Sequence, residues 1–131
     1  MKWVDEGETN VGDVYLKNQA QNTNLYLGLY TNATEPAETA ALASLTEPVG
    51  NGYARITLAP ADWAESPQAT FSNLQKTFTA SGGNWGNVYG CFIATSSDGT
   101  GKLIGVEQFT DGPYNVSDGS VVKVTPKVTI A

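Results

Sequence analysis

The sequence predicts an all-β fold, an antiparallel sandwich or jelly-roll-like barrel of seven to nine short strands with one short helix. Two patterns carry this reading. Apolar residues recur at every second position in short runs, the period of a strand. Gly, Asp and Pro clusters separate those runs, as turns between strands require. A third observation limits helix to one segment, the alanine-rich TEPAETAALASLTEP.

In chain order, residues 1–10, MKWVDEGETN, show no alternation and read as an N-terminal arm with Trp3 as its anchor. A single β domain is expected over 11–131. Val14 and Leu16 suggest a short first strand. NTNLYLGLYTN alternates cleanly, with Leu25, Leu27 and Leu29 against Tyr26, Gly28 and Tyr30. Both sets are apolar, so this strand is expected to be covered on both sides. Residues 36–45 form the expected helix, capped by Thr34, with Pro36 in the first turn and Pro48 ending it. In YARITLA, Ala54, Ile56 and Leu58 share one face. PADW makes a turn. Phe71, Leu74 and Phe78 are the inward candidates of the next two weak strands, with the face of Leu74 undetermined.

Residues 88–94 and 102–109 form the strongest hairpin signal. Val88, Gly90, Phe92 and Ala94 oppose Tyr89, Cys91 and Ile93; Leu103, Gly105, Glu107 and Phe109 oppose Ile104, Val106 and Gln108. Asp98-Gly99 marks the reversal between them. The GTGK at this tip lacks the length and the following Ser or Thr of a phosphate loop, and it leads into a strand, not a helix. The glycine-rich Gly82–Gly86 stretch ahead of the hairpin remains open as an interface loop. Val122 and Val124, then Val128 and Ile130, end the pattern on either side of Pro126.

Charge and composition narrow the function. The chain has 131 residues, 40% of them hydrophobic and only 15% charged, with a net charge of -6. An acidic chain with no basic stripe is a poor nucleic-acid binder and is repelled by acidic membranes. The first residues lack the apolar run of a secretory leader, and no stretch has the length of a membrane span. The chain has no histidine and one cysteine, Cys91. Ser-His and Cys-His catalysis and the usual zinc sets are therefore excluded. Cys91 reads as a small buried hydrophobe. Asp62, Glu65 and Glu107 are the carboxylates that could meet as an acid–base pair, and Asp111 with Asp118 forms only a sparse oxygen-ligand pattern. The expectation is no enzyme, no metal and no cofactor.

Aromatic residues near turns and strand ends are the remaining candidates. Trp3, Trp63, Trp85 and Tyr114 could fill a partner's pockets or stack on sugar rings. The competing reading makes Trp63 and Trp85 plugs of the fold's ends.

The features LYLGLYTN, GYARITL followed by Trp63, FTASGGNWGNVYGCF, the Asp-Gly hairpin and LIGVEQF together resemble small β-rich structural proteins of tailed bacteriophages. The resemblance spans about residues 25–130 and implies a virion component assembled in the host cytoplasm, without an active site. With the acidic charge, it points first to a capsid decoration or cement protein bridging shell subunits. A tail or fibre component, or a carbohydrate-binding β-sandwich module, is the alternative. The expected partners are the major capsid protein or a neighbouring virion protein, and further copies of the chain, with a trimer as the expected oligomer.

Overall fold

A computed structural model describes residues 1–130. The fold is mostly β, with antiparallel pairing throughout the described residues. The strands are β1 (Lys2–Trp3), β2 (Leu25–Tyr30), β3 (Ile56–Leu58), β4 (Ala64–Glu65), β5 (Thr70–Ser72), β6 (Lys76–Thr79), β7 (Gly86–Val88), β8 (Gly90–Ala94), β9 (Leu103–Gln108), β10 (Tyr114–Val116), β11 (Val121–Val124) and β12 (Lys127–Thr129), and the α-helix is α1 (Asp5–Tyr15). The main sheet runs β1-β9-β8-β2-β3, with open edges at both ends and no barrel closure. Short ribbons β10-β7 and β11-β6 and the three-stranded β12-β5-β4 make up the rest.

The expected hairpin exists as β8 and β9, and β8 also pairs with β2. All five residues of β8 are buried. Cys91 and Ile93 enter one core with Leu27, Leu29, Leu58, Phe78, Val88 and Val122; Phe92 and Ala94 enter a second with Val4, Tyr30, Leu42, Leu103 and Val106. The main sheet is thus covered on both faces, as the two apolar sides of β2 require. Its glycines make room for rings. Gly28 pairs with Phe92 and Gly90 with Tyr30. A Cβ on Gly28 would lie 2.3 Å from the Phe92 ring, and one on Gly90 would lie 2.4 Å from that of Tyr30. Two aromatic side chains therefore fold flat across the strands beside them.

The strict alternation expected in β9 fails at one residue. Ile93 pairs with Gly105 and Ala94 with Leu103, leaving Ile104 as a bulge. Leu103 consequently joins Val106 on one face, and Ile104 turns to the other core. An extra residue in one strand shifts every side chain beyond it by one face.

The residues expected as an N-terminal arm, 1–10, hold a short strand and the start of a helix. Lys2 and Trp3 extend the sheet beside β9, Val4 is fully buried, and α1 begins at Asp5. The bulge seats this helix. Val4 donates its N–H to the Ile104 carbonyl at 3.2 Å, and a Cβ on Gly7 would lie 2.1 Å from that same oxygen, so only glycine lets the helix approach so closely. Asp5, Glu6 and Glu8 fill the first turn, where negative charge suits the helix dipole. Val14 and Leu16 accordingly belong to the end of a helix and its cap, not to a strand.

The helix expected at 36–45 is instead an irregular strap with one 3-10 turn at Leu42–Ser44. It covers the second core through Leu42, with Ala40 and Leu45 packed against it. Its backbone is held by outside groups: Lys2 Nζ donates to the Pro36 carbonyl at 2.7 Å, Asp5 N–H to the Glu38 carbonyl at 2.9 Å, and Leu42 N–H to Glu6 Oε2 at 3.3 Å. The alanines have helix propensity, but these tertiary hydrogen bonds and the burial of Leu42 override it.

Candidate functional site

Two groups of side chains concentrate the chemistry of this molecule. The first surrounds the GYAR segment. Arg55 makes a two-pronged ion pair with Glu47, Nε to Oε1 at 3.0 Å and Nη2 to Oε2 at 2.7 Å. Its Nη1 donates to the carbonyls of Ser96, at 2.9 Å, and Asp98. The guanidinium carbon lies 5.1 Å from the centre of the Phe92 ring. Tyr53 donates its hydroxyl to Glu47 Oε1 at 2.6 Å and accepts the Leu29 N–H at 2.9 Å. Burial, then the hydrogen bond to Glu47, raises the Tyr53 hydroxyl well above the usual tyrosine range. Desolvation works to lower the Arg55 value and is outweighed by Glu47, so the guanidinium is held above its ordinary range. The cluster ties β2, β3 and the hairpin tip together. Every strong group in it is already occupied by protein, which makes it a structural clamp.

Trp85 completes this closed end. Its ring meets Tyr53 edge-on at 5.5 Å, and Tyr53 stacks on Phe78 at 6.1 Å. Trp85 Nε1 and the Ser81 N–H both donate to the Asn51 carbonyl, at 3.0 and 2.9 Å. The glycine-rich loop is also pinned: Gly82 N–H donates to Asp118 Oδ1 at 2.9 Å, and Asn84 Oδ1 accepts the Asp118 N–H at 2.8 Å. Gly86 leaves it with φ +78°, where a side chain would be strained.

The second group is an open groove of about 560 Å³ beside α1. Trp3, Tyr15, Trp63 and Phe71 supply rings to its lining. Asn10 and the segment Gln21 to Asn24 supply uncharged polar groups. Three parts of the chain build it. The edge strand β1 holds Trp3, whose Nε1 donates to the Thr129 carbonyl at 2.9 Å. A 3-10 turn over Pro60–Asp62 delivers Trp63. The last turns of α1 bring Val11, Val14 and Tyr15. Tyr15 is 84% exposed and Val11 46%, whereas Trp3 and Trp63 are half-buried against the first core.

The four aromatic candidates therefore separate. Trp3 and Trp63 share the groove. Trp85 belongs to the closed end. Tyr114 lies on the β10-β7 ribbon, its ring 5.2 Å from that of Phe109 and its hydroxyl donating to Asp111. The carboxylates each serve their own turn or pair. Asp62 pairs with Lys76 at 3.6 Å, and Glu65 accepts the Ala69 N–H at 2.6 Å. Asp111 and Asp118 hold Tyr114 and Gly82 respectively. At the hairpin tip, hydrogen bonds from the Thr100 hydroxyl and N–H, at 2.6 and 2.9 Å, hold the Asp98 carboxyl below its usual range.

A family model described as podophage GP4 fiber I protein gp80 matches residues 3–129. The chain belongs to this family. A comparison with curated proteins finds no match. Family membership makes the chain a small structural protein of a phage, in line with its β-rich fold. The match begins at Trp3 and so takes in all of α1.

Sequence reasoning missed the helical wall of the groove. Val4, Val11 and Val14 stand at helical spacing, and the acids before them suit a first turn. Gly7 and Gly12 lower helix propensity and hide the signal.

Proposed function

We propose that this protein is a non-enzymatic subunit of the fibre or tail apparatus of a phage particle. The family match over residues 3–129 carries this reading, because it spans nearly the whole chain and the family is described by a fibre protein. It favours the fibre or tail alternative over capsid decoration. The fold suits such a role: the first core gathers residues from the main sheet and from β6, β7, β10 and β11, a sandwich-like arrangement in which stability comes from β layers. The partner is a neighbouring virion protein, and the subunit works as a homo-oligomer, since symmetric copies multiply weak contacts. Tyr114 and Val121, both exposed on the ribbons, are the contact residues proposed outside the groove. Cryo-electron microscopy of intact particles tests the assignment. Density for this fold in a few copies at the tail vertex is the expected result. Hundreds of copies over the shell would restore the cement reading and overturn this one.

A further inference from the structure

The lining of the Trp3–Trp63 groove is chemically selective, and the geometry points to a binding site for a neutral saccharide. Three observations converge on this class of ligand. The groove's volume of about 560 Å³ falls within the ~300–1,000 Å³ of small-molecule sites. Trp3, Tyr15, Trp63 and Phe71 line the groove, and aromatic rings are the surface that the C–H face of a pyranose packs against. The same lining includes Asn10, Gln21, Asn22 and Asn24, which carry amides, and Thr23, which carries a hydroxyl. An amide offers two donors and two acceptor lone pairs, which matches the mixed donor–acceptor character of sugar hydroxyls.

The same polar groups are free to bind. Among the described residues, these five side chains form no hydrogen bond within the protein. Gln21, Asn22 and Thr23 are exposed. Trp3, by contrast, is held in place by β1 pairing and by its bond to Thr129. A fixed aromatic platform with an adaptable polar rim limits the ordering cost of binding. No Asp, Glu, Lys or Arg lines the groove, so it offers no counter-ion to a sulfate, phosphate or uronate. The net charge of -6 further disfavours anionic glycans. A protein partner is the less favoured occupant, because exposed amides left unpaired against an apolar surface are costly.

The test titrates the full chain with neutral trisaccharides of glucose, galactose, mannose, rhamnose and N-acetylglucosamine, and with a trigalacturonate control. Tryptophan fluorescence and calorimetry report binding. At least one neutral sugar is expected to bind saturably, and trigalacturonate more weakly. Trp63→Ala should lower affinity about tenfold or more, the effect of losing an aromatic anchor. Because Trp63 also touches the core, the rim variant Gln21→Ala/Asn22→Ala provides an independent check. It should lose affinity severalfold with an unchanged circular dichroism spectrum and melting temperature. Three outcomes would overturn the proposal: no saturable binding, equal or better binding of trigalacturonate, or unaltered affinity in both variants. Sedimentation adds a fourth. Self-association abolished by both variants, without sugar binding, would assign the groove to a second copy. The location of the protein in the particle and its sugar binding are separate measurements, so either reading can fail alone.

Discussion

Trp85 and Trp63 are both half-buried tryptophans beside turns, yet they sit in opposite surroundings. Around Trp85, each polar group has a protein partner: the indole N–H meets Asn51, the Tyr53 hydroxyl meets Glu47, and Arg55 meets Glu47 and two carbonyls. Around Trp63, the neighbouring amides are unengaged and the ring borders an open groove. Saturated polar groups and packed rings stabilise the fold. Unsaturated groups around exposed rings leave binding capacity unused. Residue type alone does not separate the two; the number of satisfied partners does.

The largest expected effect is at the closed end. Arg55→Met removes the cation from a pair in which its own side chain is 5% exposed, leaving the Glu47 charge only the Tyr53 hydroxyl as a partner. Stability should fall by about 3–5 kcal/mol, read from urea unfolding. Wild-type stability in this variant would mean that water already solvates Glu47. Trp85→Ala should cost about 2–3 kcal/mol, somewhat less than a fully buried ring. A loss under half of that would erase the contrast with Trp63.

Gly7→Ala tests how firmly the groove's helical wall is seated. The added methyl meets the Ile104 carbonyl, and overpacking of this kind costs about 1–3 kcal/mol. Hydrogen exchange should show faster opening of residues 5–15 while the protection of β8 persists. Uniform loss across both would show that α1 and the sheet open as one unit.

Alkaline pH should also act on the interior. Burial raises the Cys91 thiol from 9.0 to about 12, with the Glu107 charge adding to the shift. Burial likewise raises Tyr30 and Tyr53 well above the tyrosine value of 10.0. A raised native value means that the unfolded chain loses its proton first. The contribution is fully present below the unfolded pKa and disappears as pH rises through the native one. Stability should therefore hold up to about pH 9 and then fall, by up to ~1.4 kcal/mol per pH unit for each group titrating only in the unfolded chain. Cys91→Ala should shift the onset towards the tyrosine range. An unchanged onset would remove Cys91 from the account.

Tyr15→Ser should have the smallest effect on stability, within about 0.5 kcal/mol, because the side chain is 84% exposed. Its melting temperature is the check. A large drop would show that the groove wall is part of the core.

Local chemistry made the hairpin readable. Asp98-Gly99 reverses the chain, and the apolar alternation on either side is the strand period itself. The same holds for β2, whose two apolar faces foretold burial on both sides. The failures have one physical form. The alanines at 36–45 favour helix locally, but Lys2, Asp5 and Glu6, more than thirty positions away, take their backbone partners. The glycines in 5–15 disfavour helix locally, but Gly7 is what allows that helix to sit on Ile104. In β9, an alternating pattern could not reveal which residue bulges, since bulging depends on what the neighbouring helix must bond.

The candidate site followed the same division. Composition alone left this sequence no histidine chemistry and no intrachain disulfide, because absent groups cannot be supplied by folding. Sequence singled out Trp3, Trp63, Trp85 and Tyr114 by their area and their turn-side positions. It could not pair Trp3 with Trp63, sixty residues apart, or assign Trp85 to a clamp. Those outcomes rest on tertiary structure: the bulge at Ile104 seats α1, the 3-10 turn after β3 delivers Trp63 to the same side, and hydrogen bonds to distant carbonyls hold the indoles of Trp3 and Trp85 in place. Strand periods and turns are set by neighbours along the chain, whereas a groove is set by which distant backbone groups satisfy one another.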